Sequence, residues 1–359
     1  MLKIRVKMFR QICRRLLYLS DMKENYPWNK EVLQSLNGLR SHLPNALLIK
    51  GAAGIGKLDL ALNFAQSLLC EAPNEDGLPC CQCSSCHWFE QETHPDFRLV
   101  QAAALSDSDD SSEKEGGKKP SREISVDQIR SLSNFANLSA HQGGYRIILI
   151  HPAESMNLNS ANAVLKTLEE PTEKLLFILV THKPQQLLPT ILSRCLSVTV
   201  NAPNLEIGTE WLKQQGVSNP EKALALSGFA PRLALQLAEE GDGSEERNLL
   251  ISAIQRPTQM DALQLAEKLQ RAMPVQIIQC LQQWSYDLAC AKLTGKVRYF
   301  PEQSELLNKL SLNVSSMRLL GFQSELQTAK REAYHPLNAK LQFESILLSY
   351  RQIFSSPSA

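Results

Sequence analysis

Between residues 46 and 200, short apolar runs take turns with segments whose apolar residues recur at helical spacing, and few architectures tolerate that order. Ala46-Leu47-Leu48-Ile49, Phe97-Arg98-Leu99-Val100, Ile147-Ile148-Leu149-Ile150, residues 175–180 and residues 196–200 read as strands. Runs this apolar suit strands buried on both faces, because a sheet with one face in water shows strict alternation instead. Between them, Leu58, Ala61, Phe64, Ala65, Leu68 and Leu69 share one helix face, as do Ile129, Leu132, Phe135 and Ala136. The second of these helices opens with the capping box Ser125-Val126-Asp127-Gln128. A further helix is expected from about Asn159 to Glu169, and another ending near Leu192. The pattern predicts an α/β domain with a parallel sheet covered on both faces. Residues 105–123 are Ser/Asp/Glu and then Gly/Lys, and are expected to form a mobile loop, since they cannot bury themselves.

After Ala202-Pro203 the strand signals stop. Residues 205–240 read as short helices, Gly241-Asp242-Gly243-Ser244 as a hinge, and everything from Glu245 onward as helical. Ile277, Leu281, Trp284 and Leu288 make one stripe, and Leu341, Ile346, Leu347 and Leu348 lie in a last helix. The expected domains are residues 23–202 (α/β), 203–244 (small helical) and 245–359 (larger helical). Residues 1–22 carry six Lys/Arg before the first acid, Asp21, and a second methionine, Met22. They read either as a basic targeting helix or as an upstream-extended start.

With 43% hydrophobic and 21% charged residues the chain is neither disordered nor collagen-like. No apolar stretch approaches the roughly 20 residues that span a bilayer, so no membrane partner is expected. A net charge of +1 argues against a protein that grips nucleic acid alone, and 6% aromatics against a base-stacking platform.

Gly51-Ala52-Ala53-Gly54-Ile55-Gly56-Lys57-Leu58 falls directly between an expected strand and helix. There a glycine-rich turn aims backbone N–H groups and a helix N-terminus at phosphate. The run fits G-x-x-x-x-G-K up to the last position, where Ser or Thr would hold Mg²⁺ and Leu58 stands instead. An acid at the end of a neighbouring strand would be the second ligand. That strand ends in His151-Pro152, and Glu154, past the proline, is expected to lie off axis. With both ligands missing, no Mg²⁺-dependent ATPase is expected of the isolated chain, and ATP or ADP binding is expected to be weak or absent.

Five of nine cysteines lie between Cys70 and Cys86. Cys80, Cys83 and Cys86 form two overlapping C-x-x-C units, and Cys70 supplies a fourth thiolate for a closed, structural Zn²⁺ site. Cys81 is then spare, and His87 or His94 could substitute as a ligand. A redox C-x-x-C is the alternative, but three cysteines in this register fit a metal better. The cysteine usage and the lack of a clear signal peptide point to the cytoplasm.

Together these segments resemble the clamp-loader family of bacterial DNA polymerase III, and within it the delta-prime branch. The most specific stretches are the cysteine cluster after the phosphate-loop helix, Asn162-Ala163-Val164-Leu165-Lys166-Thr167-Leu168-Glu169-Glu170-Pro171, and Ser193-Arg194-Cys195. Ile124-Ser125-Val126-Asp127-Gln128-Ile129-Arg130 matches a further family segment. The similarity covers residues 26–235 well, and beyond that only the helical pattern and Leu337-Asn338-Ala339-Lys340-Leu341 support it. Active members keep Thr after the loop lysine and Asp-Glu after the strand, so Leu58 and His151-Pro152 favour the inactive branch. Gly54, Gly56 and Lys57 persist, unlike in the most degenerate members.

The resemblance implies an AAA+ α/β domain with an inserted zinc module, a helical lid and an all-α collar. It also implies a trans-acting arginine finger at Arg194, a polar sensor at Thr181 and a lid arginine at Arg232. The implied partners are gamma/tau ATPase subunits, the delta subunit and, through the assembled complex, the sliding clamp and primed DNA. Glu169 and Glu170 diverge by about 100° on a helix, so they read as interface or capping residues rather than a catalytic pair. Two rivals stand beside this reading: an active gamma/tau-like ATPase subunit, and a zinc-stabilised nucleic-acid-binding module.

Overall fold

A computed structural model describes residues 26–102, 105, 121–137, 140–141, 144–239, 245–333 and 338–354. The N-terminal extension, most of the expected loop at 105–123 and the expected hinge lie outside the described residues. The chain divides into two compact units, one up to Ile207 and one from Gly208.

In the first unit five parallel strands, β1 (Ala46–Lys50), β2 (Phe97–Val100), β3 (Arg146–Ile150), β4 (Leu175–Thr181) and β5 (Leu196–Thr199), lie in the order β2-β3-β4-β1-β5. The three inner strands are buried along almost their whole length, which is why their sequences are continuous apolar runs. The edge strands β2 and β5 are largely exposed, so coverage of both faces holds for the middle of the sheet. Around it are α1 (Lys30–Gly38), α2 (Lys57–Leu69), α3 (Ser84–Glu90), α4 (Val126–Asn137), α5 (Leu158–Glu169) and the short α6 (Pro189–Leu192). The capping box forms: Ser125 N–H donates to Gln128 Oε1 (2.9 Å) and Gln128 N–H to Ser125 Oγ (3.3 Å).

One buried arginine ties α4 to the sheet. Arg146, 4% exposed, donates from Nη1 to the Phe135 carbonyl (2.7 Å) and the Ala136 carbonyl (2.5 Å), and from Nη2 to Thr172 Oγ1 (3.2 Å). Those carbonyls belong to the last turn of α4, where no intrahelical donor is left for them.

The second unit is helical. Its elements are α7 (Leu205–Gln214), in which the boundary between units falls, α8 (Pro220–Leu226), α9 (Pro231–Glu239), α10 (Glu245–Ile254), α11 (Ala262–Leu269), α12 (Pro274–Thr294), α13 (Ser304–Leu312), α14 (Ser316–Glu332) and α15 (Ala339–Gln352). Ile277, Leu281, Trp284 and Leu288 enter the core as their spacing predicts. Trp284 Nε1–H donates to Tyr350 Oη (2.8 Å), whose hydroxyl donates to the Ile254 carbonyl (2.8 Å). Leu341, Ile346, Leu347 and Leu348 all fall in α15, as expected. Ile346 and Leu347 are buried, but Leu341 and Leu348 are exposed, because the core takes Phe343 and Tyr350 on the same face instead.

Candidate functional site

Strand order brings three loops together. Lys50, the last residue of β1, pairs with Thr181, the last of β4, and Ile150 of β3 pairs with Leu179 of β4. The glycine-rich turn 51–56, Thr181-His182 and the segment His151–Glu154 therefore emerge side by side at the carboxyl end of the sheet, where open α/β sheets hold their ligands.

The turn is shaped for close approach. Gly56 has φ +80°, and a Cβ there would run into the ring of Tyr26. That ring stacks on Trp28 (centroids 4.9 Å apart, planes within 9°), and Trp28 Nε1–H donates to the Ile55 carbonyl (2.9 Å). Gly51 leaves no room for a side chain either, since a Cβ would overlap the Val200 carbonyl oxygen. Gly56 is the N-cap of α2, so the helix opens straight out of the turn. Lys57 is 2% exposed and its Nζ donates to the Ala52 carbonyl. Burial lowers its pKa to about 8, and the nearby Glu154 opposes that shift. Leu58 offers no oxygen, and the carboxylate of the next residue, Asp59, accepts from the Tyr26 hydroxyl (3.1 Å).

The expectation that Glu154 lies off axis is wrong. A short 3₁₀ turn, Ala153–Ser155, swings it toward β4. Its Oε2 accepts from Thr181 Oγ1 (2.7 Å) and its Oε1 from the His182 N–H (3.0 Å), and it acts electrostatically on Lys57. Thr181, fully buried, is thus committed: its hydroxyl donates to Glu154 and accepts from the Lys183 N–H (3.1 Å). His151 stacks edge-on to His182 with centroids 5.3 Å apart. Burial, His182 and Lys57 hold the His151 pKa down to about 3, and burial followed by Lys57 lowers that of His182. At neutral pH the three loop ends therefore bring together a lysine cation, the Glu154 carboxylate and two neutral imidazoles. The glycine-rich turn, the helix N-terminus behind it and Lys57 are what can hold an anion here, and neither position 58 nor position 151 supplies oxygen for Mg²⁺.

The cysteines assemble at the other end of α2. Sγ atoms of Cys70, Cys80, Cys83 and Cys86 all lie within 4.8 Å of one another, with Cys70–Cys83 at 3.9 Å and Cys80–Cys86 at 4.0 Å. Backbone N–H groups of Cys80, Cys83 and Cys86 point at Cys70, Cys80 and Cys83 sulfur respectively (3.3–3.4 Å). N–H donors from Gln82 and Cys83 lower the Cys80 pKa to about 6, whereas burial raises those of Cys70 and Cys86. Four thiolates gathered at this spacing could hold one metal ion.

Cys81, at φ +54°, turns its thiol to the Pro79 carbonyl (3.7 Å), outside the cluster. Neither histidine substitutes as a ligand. His87 is not among the gathered donors, and buried His94 accepts from the Asp96 N–H at Nδ1 (3.0 Å). That leaves Nε2–H to donate to Ser85 Oγ (2.9 Å), and Ser85 in turn donates to the Leu69 carbonyl at the end of α2 (2.6 Å).

Arg194 follows α6 and precedes β5, at the domain surface. Its Nη2 pairs with Glu169 Oε1 (2.7 Å) and its Nη1 donates to the Thr190 carbonyl (3.0 Å). Arg232 stands in the first turn of α9, in the second unit. The sequence reading missed Tyr26, Trp28 and His182. Only the position of Tyr26 and Trp28 just ahead of the first helix hinted at a role.

A family model described as DNA polymerase III, delta subunit, matches residues 29–204. A DNA polymerase III subunit delta-prime of Pseudomonas aeruginosa is 35% identical over 284 residues, 77% of this chain and 79% of that protein. One of Haemophilus influenzae is 34% identical over 233 residues, 63% of this chain and 65% of that protein. A DNA polymerase III subunit tau of Escherichia coli is 26% identical over 346 residues, covering 91% of this chain but 50% of that protein. Among the described residues no helix is long and apolar enough to cross a membrane.

Proposed function

Because this chain belongs to the DNA polymerase III delta-prime family, we propose that it is a non-hydrolysing subunit of the replicative clamp loader, lending an arginine to the ATP site of a neighbouring subunit. In this reading residues 23–202 are an AAA+ domain, 203–244 a lid and 245–359 a collar that packs with gamma/tau and delta subunits in the cytoplasm. The assembled ring opens the sliding clamp and releases it on primed DNA.

The observation that carries the reading is the pair of missing oxygens, Leu58 after the loop lysine and His151 at the end of β3. Glu154 stands at neither motif position: it lies past Pro152 and its oxygens are turned to β4's end, accepting from Thr181 and the His182 N–H. The tau-like alternative is favoured by that protein's match across 91% of the chain, but it needs the same two oxygens. Gly51, Gly54, Gly56 and Lys57 keep an anion cradle, with Thr181 and Arg232 as remnants of nucleotide sensors.

Zn²⁺ is the ion we assign to the cysteines. Four sulfurs at about 2.3 Å from a tetrahedral centre stand about 3.8 Å apart, close to the Cys70–Cys83 (3.9 Å) and Cys80–Cys86 (4.0 Å) separations. It would cross-link the module and take no part in chemistry.

Arg194 is the group with work to do in trans. A guanidinium held against a γ-phosphate stabilises the transition-state charge and contributes about 10³–10⁵ in rate where a finger is complete. In a complex reconstituted with gamma/tau, delta and clamp, Arg194→Ala should slow DNA-stimulated ATP turnover and clamp loading while leaving assembly intact. An unchanged rate would remove the finger role. ATP turnover by the isolated chain that vanishes with Lys57→Ala would overturn the non-hydrolysing reading as a whole.

A further inference from the structure

We infer that Glu169 is a positioning residue for Arg194: the 2.7 Å ion pair between them holds the guanidinium with its remaining N–H groups turned outward, ready for a phosphate on another subunit. The inference rests on the trans-acting role proposed above for Arg194.

Two rigid pieces set the pair. Glu169 is the last residue of α5, one position after Leu168, and Arg194 lies three positions after Ile191 of α6. Leu168 and Ile191 are both buried in the same hydrophobic cluster, so the backbones carrying the acid and the base are fixed by one core. The ion pair closes across that packed edge. Arg194 has five N–H bonds in a planar fork. One on Nη2 goes to Glu169 and one on Nη1 to the Thr190 carbonyl. Bonds on both terminal nitrogens fix the plane of the fork, and the unused N–H groups lie on its other sides.

Exposure suits a device that presents rather than buries. The Arg194 side chain is 35% exposed and that of Glu169 51%. A pair this open contributes little to folding. It does remove rotamer freedom from a long side chain before the phosphate arrives, and ordering one such side chain at an interface is worth roughly a two- to tenfold change. Glu170 cannot substitute, because its backbone has left the helix (φ −123°, ψ 68°) ahead of Pro171.

In the reconstituted complex, Glu169→Ala should lower kcat for Arg194-dependent ATP turnover roughly two- to tenfold, with KM for ATP unchanged, because the fork acts on transition-state charge. Glu169→Asp should restore part of the loss. In an Arg194→Ala background, Glu169→Ala should cost nothing more. In the isolated chain, the Arg194 guanidinium ¹⁵N signals should shift toward free rotation in Glu169→Ala. A parent-like or faster rate in Glu169→Ala, or an equal loss in the Arg194→Ala background, overturns the positioning role while leaving the finger intact. An unchanged rate in Arg194→Ala alone removes both.

Discussion

Replacing Lys57 by methionine should make the empty protein more stable, by an amount that depends on pH. The lysine is 2% exposed, and burial brings its pKa from the usual 10.5 to about 8 even with Glu154 nearby. One pH unit is worth about 1.36 kcal/mol, so folding around the protonated amine costs on the order of 3 kcal/mol. Between about 8 and 10.5 the unfolded chain holds a proton that the folded chain has released. Stability therefore rises with pH across that window, and below it the full cost is present. Methionine carries no proton. Lys57→Met should accordingly exceed the parent by up to about 3 kcal/mol at neutral pH, with the gap closing toward pH 10.5. Urea denaturation of both proteins at three pH values measures it. Any packing difference between the side chains is independent of pH, so the convergence is the test. A gap that stays constant from pH 7 to 10.5, or widens, would refute the reasoning. The same variant should lose whatever anion affinity the turn has, the usual conflict between a functional group and the fold that shelters it.

Chelation of the purified protein should release a single zinc ion and lower the melting temperature of the first unit, and Cys83→Ser should do the same without chelator. Zinc-free protein whose thiols all titrate readily would disprove the site. Arg146→Met should destabilise the first unit by about 1–3 kcal/mol, since it strands the Phe135 carbonyl, whereas the Ala136 carbonyl keeps the Thr172 hydroxyl (2.7 Å). A stability within about 0.5 kcal/mol of the parent would show that the Phe135 carbonyl finds another donor.

The sheet was readable because its inner strands are buried on both faces and their sequences carry no polar interruption. The phosphate turn and the cysteine quartet were readable for a different reason. Each is local in sequence, so spacing alone proposes the geometry. Glu154 was misjudged because its position depends on the turn at Ala153–Ser155 and on β4 lying between β1 and β3, and neither leaves a periodic signal. The His94 alternative failed similarly. Its Nδ1 is claimed by a backbone N–H two residues away and its Nε2 by Ser85, contacts that composition cannot foretell. The Glu169–Arg194 pair joins residues 25 apart through shared packing of Leu168 and Ile191, and only tertiary structure could reveal it.

Helix α2 has thirteen residues, a rod of about 20 Å. Its front end is the glycine turn, and its back end is gripped through the Leu69 carbonyl by Ser85, which sits between two of the clustered cysteines. The rod is thus bolted at the rear. Sliding the helix along its axis would stretch the Ser85–Leu69 hydrogen bond and shift Cys70, at the helix end, against the other three cysteines. The cysteine module therefore braces the rear of the helix whose front end is the glycine turn.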